Sequence, residues 1–352
     1  HLYRDWVVQA LNADTPYDQF VHRQLATDFM PETTAKDLAA LGFLGLSPTY
    51  WKELQLPSEI IKVIVADEWE ERIDAVSRTF LGLTVACARC HNHKFDAITM
   101  QDYYALAGVF ASSRIKERPT IDEELYAPVR AAKAEIAKHE AQVKELRKKK
   151  PLPEEEIKTV SAKIAELKKT PHFNTLMAPA VVEEALFVER KGKTAQSGTK
   201  LVYQPKPQDL QLFLRGNPNR LGDVVPRRFL QVLSPSDDPT PFKTGSGRLE
   251  LAHAITTDAQ SLAARVLVNR IWLAHFGRGL VTTPSNFGQS GERPSHPALL
   301  DDLASRFVAG GWSMKKLHRE IVLSATYRQS SRDERTQAKI DPDNRWLSRM
   351  SR

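Results

Sequence analysis

The stretch Ile60-Ile61-Lys62-Val63-Ile64-Val65-Ala66-Asp67-Glu68-Trp69-Glu70-Glu71-Arg72-Ile73-Asp74-Ala75-Val76-Ser77-Arg78-Thr79-Phe80-Leu81-Gly82-Leu83 runs straight into Thr84-Val85-Ala86-Cys87-Ala88-Arg89-Cys90-His91. Ile61, Ile64, Val65, Trp69, Ile73, Val76 and Phe80 fall on one helical stripe, the strongest periodicity in the first third of the chain. It predicts a long helix with a buried face, delivering the chain to a cysteine cluster. Both cysteines of the 352-residue chain lie in that cluster. One Cys-x-x-Cys pair cannot staple a domain of this size, so the pair calls for a local chemical explanation.

Working outward, the flanking segments are helical too. Tyr3, Trp6, Val7, Ala10 and Leu11 recur at helical spacing, and Asn12-Ala13-Asp14-Thr15-Pro16 interrupts them. A second helix starting at Thr15 or Asp18 carries Phe20, Val21, Leu25 and Phe29 and stops at Pro31. Leu38 to Leu46 contains Gly42 and Gly45, which suggests a helix packed closely on a neighbour. Near the other end, Ala259 to Phe276, His296 to Gly310 and Ser313 to Tyr327 read as helices. In the first of these, Asn269 and Arg270 are polar residues on an apolar face and need partners.

Residues 128 to 170 have a different character. Val129, Ala132, Ile136, His139, Val143 and Leu146 alternate steps of three and four, the seam of a coiled coil, with His139 a tolerated polar residue on it. Ile157, Val160, Ile164 and Leu167 continue the seam after Pro151-Leu152-Pro153, where a helix cannot persist and the chain must reverse. Between residues 178 and 234 the period changes, and Val181 to Val188 and Asp209 to Leu214 resemble strands. The expected fold is mainly α, with an inserted antiparallel helical hairpin and a small β module. The expected parts are a helical domain over 1–127, the hairpin over 128–170, the β module and linker over 171–245, and a helical domain over 246–352 that is incomplete at its C-terminus.

Composition narrows the class. An apolar fraction of 41% and a charged fraction of 26% are those of a soluble globular protein, and no apolar run reaches 18 residues. The net charge of +7 raises the question of nucleic acid, but five of the seven residues from Lys144 to Lys150 are Lys or Arg, as in a solvated helix end. No helix-turn-helix, zinc-finger or RNP pattern accompanies them, and no nucleic-acid partner is expected. HExxH, P-loop, GxGxxG and GxSxG patterns are also missing. The chain opens at His1 inside a helical pattern with no initiator Met or signal peptide, as expected of a fragment.

Cys87-Ala88-Arg89-Cys90-His91 matches C-x-x-C-H, the pattern of covalent c-type haem attachment. Two thiols at this spacing reach both vinyl groups of one porphyrin, and the next residue supplies the proximal imidazole, so His91 would hold the haem iron. Arg89 or Lys94 could neutralise propionates. A zinc site drawing on Cys87, Cys90, His93 and Asp96 is an alternative, although one short segment rarely completes four ligands. A purely structural pair of thiols is another. For His93-Lys94-Phe95-Asp96 the simplest expectation is that Asp96 caps a helix starting near Thr99 and pairs with Lys94. The opposite face of a haem held by His91 is beyond local reach, which makes His275 and His296 candidate cofactor ligands, followed by Met30 and Met100.

At these residues the chain resembles a known family. Phe80 through Asp96, with Tyr3-Arg4-Asp5-Trp6-Val7 and Thr15-Pro16-Tyr17-Asp18-Gln19-Phe20, is similar to the planctomycete cytochrome-like domain PSCyt2, also called DUF1549. Leu267-Val268-Asn269-Arg270-Ile271-Trp272, His275 through Val281, Thr283 through Gly288, Pro294-Ser295-His296-Pro297 and Leu323 through Arg328 resemble PSD1, or DUF1553. The resemblance implies an exported cytochrome-like protein, periplasmic or on the cell surface. The leading expectation is a c-type haem protein for electron transfer or redox chemistry on an extracellular substrate, working with a redox partner. Alternatives are a metal-dependent hydrolase or lyase acting on extracellular polysaccharide through the Cys/His cluster, and a cell-surface scaffold.

Overall fold

The computed structural model describes residues 1–332 and 340–350. Twelve α-helices and four small antiparallel strand pairs are seen among them, so the fold is mainly α with a small β module. Helix α1 (Leu2–Asn12) turns Trp6 and Ala10 inward, and α2 (Tyr17–Ala26) follows Pro16 and buries Tyr17, Val21, His22 and Leu25. The Leu38–Leu46 region is split between a 3-10 helix, Ala35–Leu41, and the single turn α3 (Gly42–Gly45). The close approach expected of its glycines is real. A side chain at Gly42 would run into the Tyr3 Cβ, and one at Gly45 into the backbone of Ala180.

Helix α4 (Ser58–Val76) buries Ile61, Val65, Trp69, Ile73 and Val76, the stripe legible in the sequence. It ends in a π turn at Ser77–Leu81, closed by Gly82 with φ of 60°, a left-handed position that suits glycine. A 3-10 helix, Val85–Arg89, brings Cys87 back onto α4, and α5 (Met100–Ala111) starts after the loop. Thr99 caps α5 in a reciprocal box with Asp102, each accepting from the other's backbone N–H. The cap expected at Asp96 is therefore corrected: Thr99 already satisfies the helix end, and Asp96 points elsewhere.

The hairpin begins earlier than the seam pattern indicated. Helices α6 (Glu123–Leu146) and α7 (Glu154–Leu167) pack together, with Val129, Ala132, Ile136, Leu146 and Val160 buried along the shared face. His139 lies half-buried on α6. At the base, β1 (Arg114–Ile115) pairs with β4 (Val181–Val182), and β2 (Arg118–Pro119) pairs with β3 (Met177–Ala178). These two short pairs make a neck through which the chain leaves and returns.

Beyond the neck, β5 (Ala185–Arg190) and β6 (Thr199–Gln204) form one hairpin, and β7 (Leu210–Phe213) and β8 (Leu221–Val225) another. Both pack on α4 or α5. The C-terminal helices are α8 (Arg248–Thr256), α9 (Gln260–Phe276), α10 (Pro297–Ala309), α11 (Met314–Leu323) and α12 (Ala325–Arg328). One buried apolar cluster reaches from Tyr17 to Ile321 and takes in α4, α5, the β module and α8 to α11. No helix among the described residues is long and apolar enough to cross a membrane.

Candidate functional site

Cys87 and Cys90 are free thiols, and both are exposed. Two anchors hold the segment between them. The Arg89 guanidinium donates to Asp67 Oδ1 at 2.6 Å and to Glu70, both on the outer face of α4. Burial opposes the charge on Arg89, but its bonds with Glu70 and Asp67 outweigh that and hold its pKa above the ordinary value. Tyr104 on α5 donates its hydroxyl to the Arg89 carbonyl at 3.0 Å. Arg89 thus ties the motif to the scaffold and has its charge matched by two carboxylates. Lys94 is exposed and lies over the Phe95 ring; the expected pair with Asp96 does not form, because Asp96 faces the C-terminal part instead.

The two histidines of the motif are wired in opposite ways. His91 Nδ1 lies 2.7 Å from the Asn92 carbonyl, which can only accept. The ring proton therefore sits on Nδ1, and in the neutral ring Nε2 keeps its lone pair, exposed to solvent. His93 has a side chain only 4% exposed. Its Nδ1 accepts from the backbone N–H of Asp96 at 2.9 Å and of Phe95 at 3.2 Å, so its proton is on Nε2, which donates to Thr84 Oγ1 at 2.9 Å. Both nitrogens are occupied in folding the loop.

Asp96 is the bridge to the C-terminal part. Its Oδ1 accepts from the Gln289 backbone N–H at 2.7 Å, and a side chain at Gly288 would collide with its carboxylate. Oδ2 is buried without a partner. It stands 3.5 Å from His93 Nδ1, but that atom offers a lone pair, so the two make no ion pair as they stand. Close by, the Phe287 N–H donates to the Gly82 carbonyl at 2.7 Å, and Arg270 donates to the carbonyls of Thr79, Arg78 and Pro284. Asn269 is buried and exchanges two hydrogen bonds with the Val281 backbone. The partners demanded by these polar residues are thus backbone groups, and the loop at residues 283–289 is seated against the turn that leads to Cys87.

The histidines expected from the C-terminal part sit at other places. His275 Nε2 is 2.7 Å from His318 Nδ1 and its ring meets Tyr327 edge-on, while burial and the neighbouring His318 lower its pKa. His296 precedes α10, bonds Ser295 and packs on Trp346. Neither hydrogen-bonds with a residue of the cysteine motif. Met30 lines a cleft of about 1040 Å³ at the neck, and the Met100 N–H donates to Asn92 Oδ1. The alternative set of Cys87, Cys90, His93 and Asp96 is not brought together either. Among the described residues, no three His, Cys, Asp or Glu side chains are placed to hold a metal ion.

Residues 1–115 match PSCyt2, described as a protein of unknown function (DUF1549), and residues 247–352 match PSD1, likewise a protein of unknown function (DUF1553). The chain carries a PSCyt2 domain followed by a PSD1 domain. No curated protein and no solved structure matches it. The cysteine motif, His93 and Asp96 all lie within the PSCyt2 domain, whereas Arg270, Phe287, Gly288 and Gln289 belong to PSD1. One contact was not legible in the sequence: the β7–β8 turn of the intervening segment packs against one side of Cys90, and a side chain at Gly216 would overlap the Cys90 Sγ. Its only sequence signal is the Arg215-Gly216-Asn217-Pro218 turn itself.

Proposed function

We propose that Cys87, Cys90 and His91 attach a c-type haem, and that the protein serves electron transfer or redox chemistry on an extracellular substrate. The observation that carries this reading is the state of His91: its Nδ1–H is fixed on the Asn92 carbonyl and its Nε2 is open, beside two free, exposed thiols. A ligating histidine is commonly oriented by such a second-nitrogen bond to a carbonyl. The donor set fits haem better than zinc, since thiols that add across two vinyl groups need not converge on one point, whereas tetrahedral zinc ligands must.

The haem would supply a one-electron couple. The chain's own part is to hold it: Cys87 and Cys90 as thioether anchors, His91 Nε2 as the proximal ligand, and Arg89 and Tyr104 as the ties that fix the motif to α4 and α5. Attachment of this kind belongs to exported chains, so the reading carries a periplasmic or cell-surface location and a redox partner with it. The test is a pyridine-haemochrome spectrum of protein exported with haem available. We expect one covalent haem per chain, and a Cys87→Ala, Cys90→Ala double variant that yields its colour to acid–acetone while keeping its helical content. Exported protein without haem, or with one zinc per chain, would overturn the reading.

A further inference from the structure

Exposed large apolar side chains are normally scattered over a surface, and a group of them at one place marks a binding face. Such a group lies around the β7–β8 turn, whose Gly216 packs on Cys90. On the first turns of α4, Ile60 is 46% exposed and Val63 is 39% exposed, and Leu214 is exposed on the β7–β8 turn. Ile60, Val63 and Ile64 form one wall of a groove of about 530 Å³, and Arg215, Gly216 and Pro218 form the other. Gly216 is the link to the motif, because its missing side chain leaves the space that the Cys90 Sγ fills.

The groove also has a charge. Arg215 is held at φ of 58°, a backbone region that a non-glycine residue rarely occupies, and its side chain is exposed. Among the described residues it has neither an ion pair nor a side-chain hydrogen bond. Glu59, the acid on the same groove, is paired with Arg190. The site therefore presents an apolar wall and one unmatched guanidinium, with the free thiol of Cys90 packed behind Gly216. A planar apolar ring that carries carboxylates and is tethered through sulfur meets all three demands.

We infer that this groove seats the porphyrin attached at Cys90, with Ile60 and Val63 against the ring and Arg215 facing a propionate. The inference rests on the haem reading above. It gives Arg215 the role expected of Arg89, whose charge Asp67 and Glu70 already match.

The test uses exported, haem-loaded protein with Arg215→Gln, Arg215→Lys and Val63→Asp, all at exposed positions. Arg215→Gln and Val63→Asp should keep one covalent haem per chain, yet lose at least half of the Soret circular dichroism that a fixed haem shows. Arg215→Gln should also lower the midpoint potential, since removal of a nearby cation disfavours the added electron, and Arg215→Lys should restore it. Unchanged Soret dichroism and potential in both variants, at full haem content, would overturn the groove while leaving the attachment standing. A wild-type protein with no haemochrome spectrum would overturn both, and that outcome is distinct because it appears before any variant is compared.

Discussion

His91 and His93 stand two positions apart in the chain and do opposite work. The sequence made both candidates, since each is an imidazole next to the cysteines. What separates them is where their nitrogens point, which depends on a loop conformation that no spacing rule encodes. His93 receives two backbone N–H groups and serves Thr84, so His93→Ala would leave the half-buried Asp96 N–H and the buried Thr84 hydroxyl unpaired. Such a loss costs about 1–3 kcal/mol per group. We expect His93→Ala to lower the stability measured by urea unfolding clearly, and His91→Ala to leave it within about 0.5 kcal/mol. Equal effects of the two on stability would show that the structural role is misassigned. Asp96 is a second case: the helix that follows makes its carboxylate a candidate cap, but Thr99 and Asp102 complete that cap, and Asp96 reaches Gln289 instead.

At the scale of elements, long periodic segments were the legible ones. The α4 stripe, α9 and α10 lie close to where their apolar spacing put them, because burial on one face fixes both the element and its phase. Strand pairs were less legible. Val181 to Val188 contains β4 and the start of β5, but the chain breaks between them, and the partners β6 and β8 gave no clear alternation. Pairing is decided by the partner strand, which a single segment cannot show. The hairpin was located by its seam, yet its first helix starts at Glu123 and not at residue 128, with Tyr126 buried at the base. Pro128 sits inside that helix, at its sixth residue, where it lacks the N–H that would bond the Glu124 carbonyl. Only the outer part should therefore be dispensable. Replacing residues 139–163 by a short Gly/Ser linker should leave the melting temperature within a few degrees, whereas a cut that also removes Tyr126 and Val129 should lower it more. Calorimetry of the two deletions distinguishes them, and a large loss in the shorter deletion would mean that the hairpin tip supports the core.

For the whole molecule, the decisive contacts join residues far apart in sequence. Arg248 is completely buried and donates to the Leu25 carbonyl, to both oxygens of Asp28, to Glu183 and to Ser246, which ties the PSCyt2 domain, the neck and the PSD1 domain together. Burial disfavours its charge, but Asp28 and Glu183 outweigh that and raise its pKa. Nothing in the local sequence marks Arg248 as different from other arginines, which is why it was not singled out. Arg248→Met should leave Asp28 and Glu183 short of positive charge; breaking a buried pair in this way costs about 3–5 kcal/mol. We expect a single, earlier unfolding transition in both tryptophan fluorescence and circular dichroism, since one apolar cluster spans the domains. Two separate transitions in the wild type would show that the domains melt independently.

The neck has one more consequence. Because β1 pairs with β4 and β2 with β3, the covalent path out to the hairpin and the path back lie side by side. To the rest of the chain, everything from Thr120 to Leu176 is a closed loop. The entropy of closing such a loop grows only with the logarithm of its length, so doubling it costs about 0.6 kcal/mol. Beyond its base at Tyr126 and Val129, the arm can therefore be lengthened, shortened or exchanged for another folded insert with little change in the free energy of the body that carries the cysteine motif.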